Sequence, residues 1–246
     1  MIFDVITLFP EMFASPLRES ILGRAQRHGL LDVRTHQLRD WAQGKHLSTD
    51  DAPYGGGDGM VMKPEPLWRA VTALKQQRPT SRGLLMTPPG TPFAQHHAQR
   101  LSGENGLIFL CGRYAGFDER IRTTLVDEEF SIGDFVLTGG ELPALVMIDA
   151  IARHLPGVLG SSDSVASDSF TDGLLEYPQY TRPAVFNGIA VPEVLLSGDH
   201  GRIERWRREQ QLLRTLQRRP DLLEKADLSE ADRQILQRLR TQLTGS

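Results

Sequence analysis

Strand-like apolar runs alternate with helix-like segments along the first half of the chain, and this alternation restricts the fold more than any other feature. The runs are IFDVITL (2–8), LLDVRTHQL (30–38), Gly83 to Pro88 and GLIFLC (106–111). A βαβα order predicts an α/β fold with a mostly parallel sheet covered by helices. Helix signals fall between the runs. Ser15 and Pro16 read as cap and first helical position, and Gly29 as a stop. Pro64 and Pro66 open PLWRAVTALKQQ, and Gly140 opens ELPALVMIDAIARHL ahead of Pro156.

Two polar segments break the alternation. GKHLSTDDAPYGGGDGMVMKPEP (44–66) is too long and glycine-rich for a plain connection. SSDSVASDSFTDGLLE (161–176) has five serines, three aspartates and no basic residue, and reads as a mobile linker. Beyond it come arginine-rich helices, with Ser229 and Asp232 arranged to cap the last one. The expected division is a domain over 1–160, a linker over 161–176 and a small C-terminal domain over 177–246.

A chain of 246 residues, 39% hydrophobic and 24% charged, has room for that division. The single Cys111 excludes a disulfide framework and a multi-cysteine metal site, and makes a reducing, cytoplasmic setting the default. The histidines form no HxxxH-type pair, and adjacent His96 and His97 point to different helix faces, so no metal site is expected. MIFDVITLFPEMF lacks a basic leader and carries Asp4, Pro10 and Glu11. It reads as a first core strand rather than a signal peptide or membrane span. A net charge of −3 argues against a uniformly basic nucleic-acid binder. Locally, seven arginines between Arg202 and Arg219 face only Glu204 and Glu209. That helix is either phosphate-facing or a solvated amphipathic helix burying Leu212, Leu213 and Leu216.

SIGDFVLTGG (131–140) combines an apolar, strand-like run with three glycines. Glycine weakens a strand, so something is expected to approach the backbone closely there. Glycine clusters after late strands suggest a cofactor cradled by backbone groups at the carboxyl end of a sheet. The first strand is followed by LFPEMF rather than G-x-G-x-x-G, and no phosphate-binding G-x-x-x-x-G-K-[ST] occurs, which argues against a dinucleotide site or P-loop. By pattern alone, Ile132, Phe135, Val136 and Leu137 read rather as the core of a buried strand.

CGRYAGFDER, SIGDFVLTGGELPAL, DDAPYGGGDGMVMKPEPL, DSFTDGLLEYPQYTRP and VPEVLLSGDH, in this order, are similar to motifs of the bacterial tRNA (guanine-N1-)-methyltransferases that act at tRNA position 37, members of the SPOUT superfamily. The resemblance spans essentially the whole chain. It implies a deep trefoil knot, a cytoplasmic homodimer with the active site at the subunit interface, tRNA as substrate and S-adenosylmethionine as methyl donor. The use of a divalent ion is left open. The matching cofactor positions are Pro88, Gly112, Tyr114, Ile132, Gly133, Asp134, Phe135, Val136, Leu137, Gly139 and Gly140.

Two side chains match the family's catalytic positions. The guanine ring nitrogen holds a proton that must leave as the new bond forms, and Asp168 matches the carboxylate base. Arg153 matches the arginine that stabilises negative charge on the guanine carbonyl oxygen. His46, Asp50 and Tyr54 in the 44–66 loop are candidates for receiving the target base, and Arg205, Arg207 and Arg208 for phosphate contacts. The sequence departs from the family at Ala115, where a glutamate is usual; Asp134 or Glu176 is expected to replace its charge. A SPOUT enzyme acting on another RNA and a catalytically silent RNA-binding module are the alternatives; Asp168, Arg153 and the glycines argue against the second.

Overall fold

The computed structural model describes residues 1–160 and 168–244. The chain divides into two compact units, Met1–Ser161 and Ser162–Ser246. The first unit contains β1 (Ile2–Thr7), α1 (Glu11–Ala14), α2 (Ser20–Arg27), β2 (Asp32–Gln37), β3 (Asp50–Asp51), β4 (Val61–Met62), α3 (Pro64–Gln77), β5 (Arg82–Pro92), α4 (Gln95–Leu101), β6 (Gly106–Cys111), α5 (Glu119–Leu125), β7 (Glu128–Ser131) and α6 (Glu141–Ala152).

Five strands form a parallel sheet in the order β2-β1-β6-β5-β7, the α/β class that the alternation predicts. β6 is central and buried along its whole length, which is why GLIFLC has no polar residue. Its side chains alternate between faces. Leu107 and Phe109 meet Phe13, Leu22, Ala98, Met147 and Ile151 on one side, and Ile108 and Leu110 meet Leu67, Val71, Leu74 and Ile121 on the other. Full burial of each such side chain stabilises the fold by about 2 kcal/mol. Asp4 is buried on β1 without being orphaned: its carboxylate lies 2.7 Å from His36 Nε2 and accepts from Arg78 Nε at 2.8 Å.

Three local expectations are corrected. Ser15 and Pro16 do not start a helix; Ser15 closes α1 in a helical conformation, and α2 begins at Ser20. The 44–66 segment is not wholly irregular, because Asp50 and Asp51 pair with Met62 and Val61 in an antiparallel ribbon. Gly55, Gly56, Gly57 and Gly59 between its arms all adopt positive φ, a region costly for other residues. Third, the SIGDFVLTGG strand is misplaced: strand pairing ends at Ser131, and the actual strand is the preceding EEFS. β7 hides from pattern reading because it is an edge strand whose Glu128 and Glu129 are ion-paired to Arg100 and Arg122.

The second unit contains β8 (Val185–Phe186), β9 (Ile189–Ala190), α7 (Glu193–Leu196), α8 (His200–Arg218), α9 (Pro220–Leu223) and α10 (Glu230–Thr244). Its core is Leu174, Leu212, Leu223, Leu236 and Leu239, with Leu213 and Leu216 packed alongside. This corrects the reading of 161–176 as linker throughout. Residues 161–167 lie outside the described residues, but Leu174 is fully buried and the Leu175 amide donates to Thr215 Oγ1 at 2.9 Å. The buried Leu174 side chain and the Leu175 amide dock the end of the polar stretch on the second unit's helices. Among the described residues no helix is long and apolar enough to cross a membrane.

The expected cap of α10 is present: Ser229 Oγ accepts from the Asp232 amide at 3.1 Å, and Asp232 accepts from the Ser229 amide at 3.0 Å. Arg208 donates to the same carboxylate at 2.9 Å and to Asp172 at 2.7 Å. Chiefly through Arg208, the Asp232 pKa falls from 3.8 to about 2. A carboxylate with a depressed folded-state pKa stabilises the fold above its unfolded pKa, and loses that contribution as pH falls through the folded one. Asp232→Asn is therefore expected to cost about 2 kcal/mol at neutral pH. The loss should shrink to near zero as the pH is lowered from 3.8 to about 2, followed by denaturant unfolding of the C-terminal helices.

Candidate active site

At the carboxyl ends of β5, β6 and β7 lies a cavity of about 380 Å³, within the range of small-molecule sites. Three chain segments wall it. In β5 the register against β7 shifts between Met86 and Thr91, because Pro88 and Pro89 have no amide hydrogen to add to the ladder. The other walls are Gly112 to Phe117, after β6, and Ile132 to Gly140, between β7 and α6.

Of the expected cofactor positions, Pro88, Gly112, Tyr114, Ile132, Gly133, Phe135, Val136, Leu137, Gly139 and Gly140 all line this cavity. The apolar residues among them are not a buried strand: Phe135 is 55% and Val136 85% exposed. Asp134 is the exception. It is exposed and does not line the cavity, so its expected replacement of the missing charge at Ala115 has no support in its position. Glu176 belongs to the second unit, where its amide donates to Ser169 Oγ at 2.9 Å.

The glycine pair has a cause different from the expected one. A Cβ on Gly139 would lie 2.3 Å from Arg113 Nε and 2.5 Å from Glu141 Oε2, and one on Gly140 would lie 2.8 Å from the Cys111 Cα. The chain's own groups approach there, so the glycines let one wall cross the other. Arg113 pairs with Gly139 as an isolated bridge, and the Gly140 amide donates to the Gly112 carbonyl at 2.9 Å. Tyr114 holds φ at +60°, a strained value for a non-glycine residue. Its loop is fixed from outside: the Ala115 amide donates to Met60 and the Met62 amide to Gly116, both at 2.8 Å. These bonds tie the end of the 44–66 segment to the cavity wall.

The charged residues lining the cavity are both arginines, and both are paired. Arg113 Nε lies 3.0 Å from Glu141 Oε2, its Nη1 donates to the Thr138 carbonyl at 3.2 Å, and its guanidinium sits 4.5 Å from the Phe9 ring centre. Glu141 is fully buried, and its other oxygen accepts from Thr7 Oγ1 at 2.8 Å. Arg122 pairs with Glu129 at 2.5 Å and Glu119 at 3.3 Å. Sequence reading passes over Arg113, Thr7 and Glu141; the available signal is the charged residue in each of CGRY and GGELP, amid apolar neighbours. Cys111, beneath the cavity, is fully buried, and burial pushes its thiol pKa well up, so it has no nucleophilic character.

The other candidates lie elsewhere. Arg153 is the C-cap of α6, half-buried, and is not among the lining residues. Asp168 is in the second unit, at the start of a tight loop: its carbonyl accepts from the Thr171 amide at 3.3 Å, and the Phe170 amide donates to Leu174 at 2.7 Å. His46 is exposed, Asp50 is half-buried in β3, and Tyr54 is fully exposed. On α8, Arg205 is exposed. Arg207 pairs with Glu204 at 2.7 Å and lies over Tyr177, while Arg208 is held by Asp232 and Asp172. Arg208 is thus tied into the packing of the second unit through both carboxylates. Among the described residues no group of three or more His, Cys, Asp or Glu is placed to hold a metal ion.

Residues 1–225 match the model of a family described as tRNA (Guanine-1)-methyltransferase TrmD. The chain is 65% identical over 242 residues to the tRNA (guanine-N(1)-)-methyltransferase of Syntrophotalea carbinolica, covering 98% of each chain. It is 58% identical over 236 residues to that of Geobacter sulfurreducens, covering 96% of each. With that of Desulforamulus reducens it shares 52% over 245 residues, covering 99% of this chain and 96% of the relative. This chain therefore belongs to the tRNA (guanine-1)-methyltransferase family.

Proposed function

We propose that this protein transfers a methyl group from S-adenosylmethionine to nitrogen 1 of guanine at position 37 of tRNA. The observation that carries the reading is the cavity at the sheet's carboxyl end, walled by the glycine-rich segments whose motifs carry the sequence resemblance. A backbone-lined cleft with apolar Ile132, Leu137 and Phe117 suits a flat heterocycle read along its edge by main-chain groups. Bound there, S-adenosylmethionine would supply a methyl group on a sulfonium and leave as a neutral thioether. Pro88, Gly112, Tyr114, Ile132, Leu137 and Gly140 would hold it. Asp168 would accept the guanine proton, and Arg153 would stabilise the developing charge on the carbonyl oxygen.

The same reading makes the first unit a knotted cofactor domain of SPOUT type and the second, to which Asp168 belongs, a tRNA-binding domain. The tight crossing of the segments around Gly112 and Gly140 favours the knot. A homodimer is favoured by α6, which buries Ala144, Met147, Ile148 and Ile151 yet leaves Leu142 and Val146 half-exposed. A helix apolar on every side is one that becomes covered on every side. A site shared between subunits, in the cytoplasm, is part of the same reading. The direct test is methyl transfer from labelled S-adenosylmethionine to an unmodified transcript with guanine at position 37, followed by nucleoside analysis. Absence of 1-methylguanosine, or an unchanged yield when that guanine is replaced, would overturn the reading.

For RNA contact, Arg202 and Arg205 are exposed on α8, and no carboxylate pairs with either among the described residues. Arg202→Gln with Arg205→Gln is expected to lower the salt dependence of tRNA binding by about one unit per contact, with cofactor affinity unchanged. Binding measured across a salt series checks this. Arg208→Gln is expected instead to lower the thermal stability of the second unit.

A further inference from the structure

Two of the residues that line the cavity are charged, both arginines, and each is paired with carboxylates outside the lining. Glu141, Glu129 and Glu119 are not lining residues. For Arg113 this arrangement comes at a structural cost. Glu141 is fully buried, and Arg113 Nε and Glu141 Oε2 are close enough for an ion pair but not aligned as a hydrogen bond. Residue 139 must be glycine to leave them room. A wall fastened only for strength would be better served by apolar packing, since buried ion pairs add little net stability. Arg113 also anchors the Ile132–Gly140 segment through the Thr138 carbonyl, so the guanidinium is retained as a clasp while its charge is a liability beside a cationic ligand.

We infer that Glu141, acting through Arg113, is a positioning and specificity-determining residue that masks positive charge in the cavity wall, so that the site accepts a sulfonium rather than favouring the neutral thioether formed when the methyl group leaves. This rests on the reading of the cavity as the S-adenosylmethionine site. Thr7 supports the role, because its hydroxyl occupies the second Glu141 oxygen and holds the carboxylate toward Arg113. Arg122, with Glu129 and Glu119, repeats the device at the rim with more exposed partners.

The charge difference between methyl donor and product provides the test. S-adenosylmethionine and S-adenosylhomocysteine differ at the sulfur by one methyl group and one positive charge, so a purely mechanical loss at the wall weakens both alike. Calorimetry on full-length protein should show that Glu141→Gln weakens the sulfonium ligand about tenfold more than the thioether. Arg113→Gln combined with Glu141→Gln should return the ratio of the two affinities to its wild-type value, even where both affinities fall. In turnover, KM for the donor should rise more than kcat falls, since positive charge leaves the sulfur on the way to the transition state. If Glu141→Gln does not fold, Glu119→Gln with Glu129→Gln, at the more exposed pair, decides: the ratio should shift in the same direction by a smaller factor. An unchanged ratio in the variants that fold, or a double variant that fails to restore it, overturns the inference. Wild-type protein that binds neither ligand overturns instead the assignment of the cavity to this cofactor.

Discussion

Asp168→Asn is expected to lower single-turnover methyl transfer by about a thousandfold while leaving S-adenosylmethionine affinity within about twofold. The amide preserves the size of the side chain but cannot accept the guanine N1 proton. Without that acceptor, the ring nitrogen must attack while still protonated. Asp168 belongs to the second unit, and the expected cofactor cavity is built within the first, so the substitution should be silent in a binding titration. Single-turnover kinetics beside calorimetry measures both quantities. Transfer at a near wild-type rate would remove Asp168 from the mechanism. Equal loss of transfer and cofactor affinity would make it a structural residue.

The second large effect concerns how the site is shared. In the homodimer proposed above, the Arg153→Ala and Asp168→Asn variants should each be almost inactive. If the two residues act across the subunit interface, mixing the variants under conditions that exchange subunits should restore about a quarter of wild-type activity, because about half the dimers are hybrids and one of each hybrid's two sites is intact. Two residues acting from the same subunit would leave every hybrid site defective. Sedimentation of the wild-type protein complements the test: full activity in a monomer would overturn the shared-site proposal. Arg153 suits this experiment because it is the C-cap of α6, the helix that leaves Leu142 and Val146 half-exposed.

Legibility in the sequence followed the range of the interactions involved. β1 and β6 could be read because central parallel strands bury both faces and become continuous apolar runs. The starts of α3 and α6 and the Ser229–Asp232 cap could be read because proline, glycine and capping groups act within a turn of their own position. β7 could not be read this way, because its glutamates find their arginines on other elements. The apolar Ile132–Leu137 stretch looked like the strand instead, since hydrophobicity alone does not distinguish a core residue from one lining a cleft.

By itself, the sequence determined the parallel α/β class and the polar breaks near 44–66 and 161–176, and its motifs carried the family resemblance that implied one shared site for the glycine-rich segments. Those properties depend on local periodicity and on residue types repeated in order. Only the tertiary structure decided why Gly139 and Gly140 are glycines, that Arg208 is committed to Asp232 and Asp172, and that Asp134 stays outside the cavity while Glu141 is buried behind its wall. Thr7 and Glu141 are 134 residues apart, and Arg208 and Asp232 are 24 apart. Which partner satisfies a buried charge over such separations depends on how the elements pack, and a charged residue has the same letter whether it faces solvent, a substrate or its own neutralising partner.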